Sequence, residues 1–205
     1  MAAWTLHRPV GPTPEFEKVL LTAGHCGIDL DVQQADGIEK KVAQPGREVL
    51  SLPSGRLPVL QTMQGQIFGA QAICRFLANS RPALELHGKT FQEQGEVDSW
   101  LEFLQNELEV ALSCLLQEMQ RLEGQRRPQV EEEAKRDIVS AMRVLERHLA
   151  RNTFVVGHHP TLADLCAQAA CQHIKKHVAD ILPKEQFRSL HRWYATVEAA
   201  TPGRK

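Results

Sequence analysis

Histidines four residues apart are the side chains of this sequence whose type and spacing most directly suggest chemistry. His173 and His177 fall on one face of a predicted helix, and His158-His159 lie in the turn before it. Two histidines one helical turn apart can bind zinc. The sequence places no third ligand beside them, and amphipathic helices often carry histidine on the wet face. We therefore predict no metal site.

The five cysteines are odd in number and widely spread along the chain: Cys26, Cys74, Cys114, Cys166 and Cys171. Four of them fall within apolar helical patterns. Cys166 and Cys171 are five residues apart in one predicted helix, so their side chains diverge around it. This usage predicts reduced core thiols in an intracellular protein rather than a disulfide framework, and the cytoplasm is the expected location.

Composition and charge argue against several classes of function. The chain has 205 residues, 42% apolar and 24% charged, which is typical of a soluble globular protein. Its net charge of −1 gives no overall attraction for nucleic acid, and direct binding would need a local basic patch such as 121–127. No apolar run approaches the ~20 residues of a membrane span, and the N-terminus lacks the apolar core of a signal peptide.

The first 80 residues contain short mixed elements, and most of the glycine and proline. Segments 3–7 and 28–32 are typical of strands, and Thr13-Pro14-Glu15 is typical of a helix start. The stretch LPVLQTMQGQIFGAQAICRFLA, residues 57–78, predicts two strands joined by a turn and then a helix that begins near Ala70. The polar segment 37–50 is expected to be a loop or an irregular helix.

From Thr90 onward the sequence predicts only helices. Apolar stripes at helical spacing run through 91–122, 130–149, 162–178 and 184–199. Thr161 and Asp164 stand three residues apart at the head of the third stripe, which is the spacing of a capping box with aspartate in place of glutamate. We expect the Thr161 hydroxyl and the Asp164 carboxylate to satisfy backbone N–H groups at this helix start.

Three segments resemble the glutathione S-transferase (GST) fold. They are LPVL with AICRFLA in the first part of the chain, FVVGHHPTLAD at 154–164, and SLHRWYATVEA at 189–199. The resemblance covers nearly the whole chain. It implies a thioredoxin-like α/β domain over residues 1–80 followed by an all-α domain over residues 90–200.

The GST resemblance also implies positions for glutathione binding. Thr13 would lie where a hydroxyl stabilises the thiolate of glutathione, and its alternative role is a plain N-cap. Pro58 would be a cis-proline. The strand that starts after it, at Val59, would present backbone groups to the cysteinyl moiety of glutathione. The acid and hydroxyl that hold the γ-glutamyl carboxylate in this family are replaced by Gly69 and Ala70. Each lost hydrogen bond costs roughly 1.5–3 kcal/mol. We therefore expect no catalytic residue and no cofactor, and at most a degenerate glutathione site.

Non-catalytic GST-like domains of the eukaryotic translation apparatus resemble this chain in further residues. WTLHRP near the N-terminus, VDSWLEFLQNELEVALS at 97–113 and the closing SLHRWYATVE are similar to segments of elongation factor subunits, aminoacyl-tRNA synthetases and multi-synthetase scaffold proteins. The similarity implies a protein-interaction module that forms a homodimer or a heterodimer with such domains. A glutathione-dependent transferase or thiol reductase is the alternative, and an adaptor outside translation is a third.

Two partner surfaces are implied by the same resemblance. One surface, on the second and third helices, would use Gln71, Arg75 and Asn79. The other, on the helix after TLAD, would use His173 and Lys176, and a histidine there would make the contact sensitive to pH. Each set of side chains has a plain alternative as solvated surface.

Overall fold

The computed structural model describes residues 4–9, 13–35 and 57–201 of the chain. The first residue of the strand expected at 3–7, and the whole segment 37–50, lie outside the described residues. The described strands form one mixed sheet: β1 (Trp4–Arg8), β2 (Leu30–Gln34), β3 (Val59–Thr62) and β4 (Gly65–Phe68).

The sheet has the strand order β2-β1-β3-β4. β1 pairs in parallel with β2 and antiparallel with β3, and Leu6 faces Leu60 in the second pairing. Helices α1 (Pro14–His25) and α2 (Ala70–Asn79) pack against each other, and α2 also packs on β3 and β4. Leu6, Leu60 and Ile73 are fully buried, so this small sheet has its apolar face covered by helices. The predicted α/β first part is confirmed.

The rest of the described chain is helical. Its main elements are α3 (Phe91–Phe103), a π-helical segment (Leu104–Glu109), α4 (Val110–Gln120), α5 (Pro128–Leu149), α6 (Leu162–His177) and α7 (Arg188–Ala200), with short 3₁₀ turns at Pro82–Leu84, Glu123–Gln125 and Ala179–Ile181. One continuous apolar core joins the residues under the sheet to those inside the helical part. No helix among the described residues combines the length and the apolar composition needed to cross a membrane.

Two predicted helices differ from the structure in detail. The single stripe expected over 91–122 is interrupted by the π-helical segment, in which Leu104, Leu108 and Glu109 are buried. The last helix was expected from Lys184 but begins at Arg188. The backbone N–H groups of Ser189 and Leu190 in its first turn donate to the two carboxylate oxygens of Glu146 in α5, so this cap comes from a distant part of the chain.

Candidate functional site

A cleft of about 980 Å³ opens between the sheet-bearing part and the helical part of the molecule. Small and polar side chains from both parts line it, among them Thr13, Lys18, Pro58, Gly69, Ala70, Gln71, Gln105, Glu109, Ser113 and Gln117. The cleft thus brings together the residues that the GST resemblance assigned to glutathione, with one exception. Val59 is fully buried and does not line the cleft, so only its backbone can face a ligand.

Pro58 and Thr13 define one end of the cleft. The Leu57–Pro58 peptide bond is cis, as the resemblance implied. The Thr13 hydroxyl accepts a hydrogen bond from the backbone N–H of Phe16 at 3.2 Å, and Thr13 is therefore the N-cap of α1. This hydroxyl keeps its proton free for a further acceptor, while one of its two lone pairs serves the helix.

Gly69 and Ala70 form the turn into α2. Gly69 has a φ of +85°, a conformation that glycine adopts without strain, and it gives the helix no side-chain cap. Ala70 is the first residue of α2 and is 7% exposed. A ligand carboxylate at this helix start would meet backbone N–H groups and the positive end of the helix dipole, but no side-chain donor from either residue.

A buried ion pair joins the two walls of the cleft. Lys18 Nζ of α1 lies 2.9 Å from Glu109 Oε1 and 2.6 Å from Glu109 Oε2, at the end of the π-helical segment. Burial acts to lower the pKa of Lys18, but Glu109 and two neighbouring cysteines raise it above its usual value. A second bond, from the Ser113 hydroxyl to Glu15 Oε1 at 3.1 Å, crosses the same junction.

The three residues expected on the α2 partner surface each make a contact within the chain. Gln71 donates to the backbone oxygen of Leu101 at 2.7 Å. Arg75 donates from Nε and Nη2 to one oxygen of Asp98, at 3.0 and 2.7 Å. Asn79 Oδ1 lies 2.9 Å from His87 Nδ1. Gln71 and Arg75 thereby tie α2 to α3, while Arg75 and Asp98 remain accessible to solvent.

Of the two residues expected on the second partner surface, His173 is buried and Lys176 is exposed. His173 is only 4% exposed, and neither of its ring nitrogens has a hydrogen-bond partner among the described residues. A partner can reach Lys176, which is exposed, but it cannot reach the His173 ring without moving α6. The His173 side chain is buried because α6 packs on α1, where Glu15 and Glu17 lie near it.

Asp164 is a structural centre of the helical part. Its Oδ2 accepts from the backbone N–H and from the hydroxyl of Thr161, both at 2.9 Å, so the carboxylate reaches back to the helix start as the spacing predicted. Its Oδ1 accepts from the backbone N–H of Val155 at 2.9 Å and from Trp193 Nε1 at 2.7 Å. One fully buried carboxylate therefore holds together the turn before α6, α6 itself and α7.

The cysteines and the histidine pair singled out in the sequence lie mostly in buried surroundings. Burial raises the pKa of Cys26 to about 11 and that of Cys171 to about 12, so both thiols stay protonated at neutral pH. The rings of His173 and His177 stack with centroids 6.1 Å apart. The described part of the chain contains no group of three or more side chains placed to hold a metal ion.

Comparison with known proteins agrees with this geometry. The family model described as "Glutathione S-transferase, C-terminal domain" matches residues 100–200. Poplar glutathione transferase F1 superposes with a TM-score of 0.82 at 15% identity, covering 97% of this chain and 93% of that one. A glutathione S-transferase from Xanthobacter autotrophicus superposes with a TM-score of 0.79 at 22% identity over 99% of this chain and 96% of its own. The chain has the GST fold, and its residues 100–200 match the GST C-terminal domain family.

Sequence relatives of this GST-fold chain include proteins named elongation factor 1-gamma. Elongation factor 1-gamma from Trypanosoma cruzi is 36% identical over 195 residues, which are 91% of this chain and 46% of that protein. Elongation factor 1-gamma 3 from Oryza sativa is 30% identical over 164 residues, 80% of this chain and 38% of that protein. The chain thus spans less than half the length of these curated relatives.

Sequence reasoning missed the ion pair at the bottom of the GST cleft. Lys18 and Glu109 are 91 residues apart, and each occurs in a segment where a charged residue is expected on the wet face of a helix. The positions of the two residues could have indicated that they are buried. Glu109 lies beside Leu108 and Leu112 in the apolar stripe, and Lys18 lies directly before Val19.

Proposed function

We propose that this chain is a non-catalytic GST-like module that assembles protein complexes of the cytoplasmic translation machinery. The observation that carries the proposal is the similarity to elongation factor 1-gamma, at 36% identity over 91% of the chain in one relative. That similarity runs through both the sheet-bearing and the helical part.

The cleft supports a role without transferase chemistry. A glutathione carboxylate at Gly69 and Ala70 would receive no hydrogen bond from a side chain. Each hydrogen bond lost in this way weakens binding by roughly one to two orders of magnitude. The Lys18 ammonium, which lines the cleft, is held by Glu109 rather than left free for an anion.

The outer face of α2 and α3 is the proposed partner surface. Phe68, the last residue of β4, is 46% exposed, and Phe91, the first residue of α3, is 92% exposed. Exposed aromatic side chains are unfavourable in water and are frequent anchors of protein interfaces. The Arg75–Asp98 pair between the same two helices adds polar groups that a partner can reach. Lys176 contributes to the second proposed surface.

Affinity capture tests the assembly role. The chain is immobilised and exposed to lysate of its own organism at moderate salt, and bound proteins are identified and quantified by mass spectrometry. We expect elongation factor subunits or aminoacyl-tRNA synthetases in stoichiometric amounts. Light scattering of the purified chain separates homodimer from monomer. Recovery of no translation protein at any salt concentration would contradict the proposal.

Glutathione binding is the second candidate function, and the position of Pro58, Gly69 and Ala70 on one open cleft favours it. Isothermal titration of glutathione into the chain tests it directly. We expect a dissociation constant weaker than about 1 mM, equivalent to about 4 kcal/mol of binding free energy. Tighter binding together with thiol-transfer turnover would establish the enzyme instead of the module.

A further inference from the structure

A second depression, separate from the glutathione-type cleft, lies between the π-helical segment with α4 on one side and α5 on the other. We call it the α4/α5 groove; its volume is about 440 Å³. Val110 and Cys114 line both depressions, so α4 forms the ridge between them. The groove belongs to neither of the two partner surfaces discussed above.

Part of the lining of the α4/α5 groove is apolar. Phe103 and Val110 contribute from one side, and Val130, Ala141 and Val144 contribute from the other. Val110 is 62% exposed although it lies in the middle of a long helical stretch. An apolar side chain placed against these residues would remove them from water, which is a favourable contribution to binding.

The rim of the groove carries only negative charge. Glu107, Glu133 and Asp137 line it, and no lysine or arginine is among its lining residues. None of the three carboxylates forms a salt bridge with another described residue, whereas Glu131 and Glu132 on the same helix both pair with Lys135. These three carboxylates are therefore unneutralised beside an apolar surface.

We infer that the α4/α5 groove binds an amphipathic helix of a partner protein that carries lysine or arginine beside apolar residues. Charge complementarity decides the chemistry of the occupant, because an acidic or neutral segment would leave three like charges unpaired at the interface. Glu133 and Asp137 are four residues apart on α5, about 6 Å along its axis. Basic residues at the same spacing on a helix lying alongside α5 can reach both carboxylates.

This inference rests on the proposed function in one respect, that the ligand of the chain is another protein. The test uses a fluorescent amphipathic helical peptide made of leucine and lysine, and the same peptide with glutamate in place of lysine. Anisotropy is measured with the full chain, with the double variant Glu133→Gln/Asp137→Asn, and with the control Asp180→Asn/Glu185→Gln. The control removes the same charge from exposed positions outside the groove.

We expect the lysine peptide to bind, the glutamate peptide not to bind, and the groove variant to bind the lysine peptide about fivefold more weakly than the control does, as expected for two surface ion pairs. Val110→Ser is expected to weaken binding as well. Equal binding by the groove variant and the control would overturn the inference. So would a homodimer that the groove variant dissociates, because a second copy of the chain would then cover the groove.

Capture from lysate separates this inference from the proposed function. Should the peptide distinguish the groove variant while the wild-type chain captures no translation protein, the groove assignment stands and the proposed function fails. Should the wild-type chain capture translation proteins while the peptide does not distinguish the groove variant, the proposed function stands and the groove assignment fails.

Discussion

Lys18 and Glu109 join the two parts of the molecule through a buried ion pair, with Nζ 2.9 and 2.6 Å from the two carboxylate oxygens. Both side chains are almost inaccessible, at 2% and 6% exposure. The pair lies where α1 meets the π-helical segment, at the bottom of the cleft. Its attraction must offset the cost of removing two charges from water.

Breaking this ion pair is expected to be severe. Glu109→Leu leaves the Lys18 ammonium buried without its counter-charge, and Lys18→Met does the same to Glu109. Each single variant should lose about 3–5 kcal/mol of unfolding free energy, measured by urea denaturation. The double variant Lys18→Met/Glu109→Leu should recover most of the loss, because no charge then remains buried.

The exposed Lys89–Glu85 pair provides the control for the ion-pair prediction. It has side chains 55% and 43% exposed, so Lys89→Met should cost less than about 1 kcal/mol. If Lys18→Met cost no more than Lys89→Met, the buried pair would have no special part in holding the two halves of the chain together.

Asp164, like Glu109, should be a carboxylate on which the stability of the helical part depends. Asp164→Ala leaves the backbone N–H groups of Thr161 and Val155 and the ring N–H of Trp193 buried without an acceptor, at about 1–3 kcal/mol each. We expect a loss of about 4 kcal/mol or more. Asp164→Asn keeps one acceptor oxygen and should lie between wild type and alanine.

Thermal and urea unfolding check the expected order of stability, in which wild type is followed by Asp164→Asn and then by Asp164→Ala. Asp180, which is exposed in a 3₁₀ turn, is the matched control, and Asp180→Ala should change stability by no more than about 0.5 kcal/mol. An Asp164→Asn variant as stable as wild type would show that the negative charge and the second oxygen contribute nothing to this centre.

Local patterns were sufficient for most of the fold. The N-cap at Thr13, the turn into α2 at Gly69 and the aspartate box at Thr161 each depend on residues within four positions, and the structure has α1, α2 and α6 beginning at these points. The cis bond at Pro58 was predicted from the GST resemblance. The residues around Pro58 do not by themselves distinguish a cis from a trans peptide bond.

Interactions between distant segments could not be predicted in the same way. Glu146 caps α7 from 43 and 44 residues away, so the sequence pattern placed the start of that helix at Lys184 instead of Arg188. His173 was expected at a partner surface, but packing of α6 on α1 buries its ring. Burial of this kind depends on which helix covers a residue, and a single helical stripe does not specify that.

Acidification should destabilise the chain through His173. Burial lowers the pKa of this ring, with His177 and Lys176 lowering it further and Glu17 and Glu15 opposing them. Below the unfolded-state pKa of 6.5 the unfolded chain therefore binds more protons than the folded chain. The free energy of unfolding is expected to decrease as the pH falls below about 6.5.

The variant His173→Gln checks that pH dependence. Urea denaturation at about pH 7.5 and about pH 5.5 should show a smaller loss of stability on acidification than in wild type. Some loss should remain, because burial also lowers the pKa of His25, His87 and His177. An unchanged loss in His173→Gln would mean that His173 takes up its proton equally well in the folded chain.

Phe91 is expected to be an anchor of partner binding and not of folding. Its side chain is 92% exposed, so Phe91→Ser should alter the free energy of unfolding by no more than about 0.5 kcal/mol. Capture of translation proteins should weaken by about tenfold or more, as for an aromatic residue at the centre of an interface.

Leu122→Ser is the matched control, because Leu122 is 72% exposed but lies in the turn after α4, away from α2 and the start of α3. Equal weakening by both variants would show that general surface hydrophobicity causes the capture, and loss with Leu122→Ser alone would move the partner surface to the turn after α4.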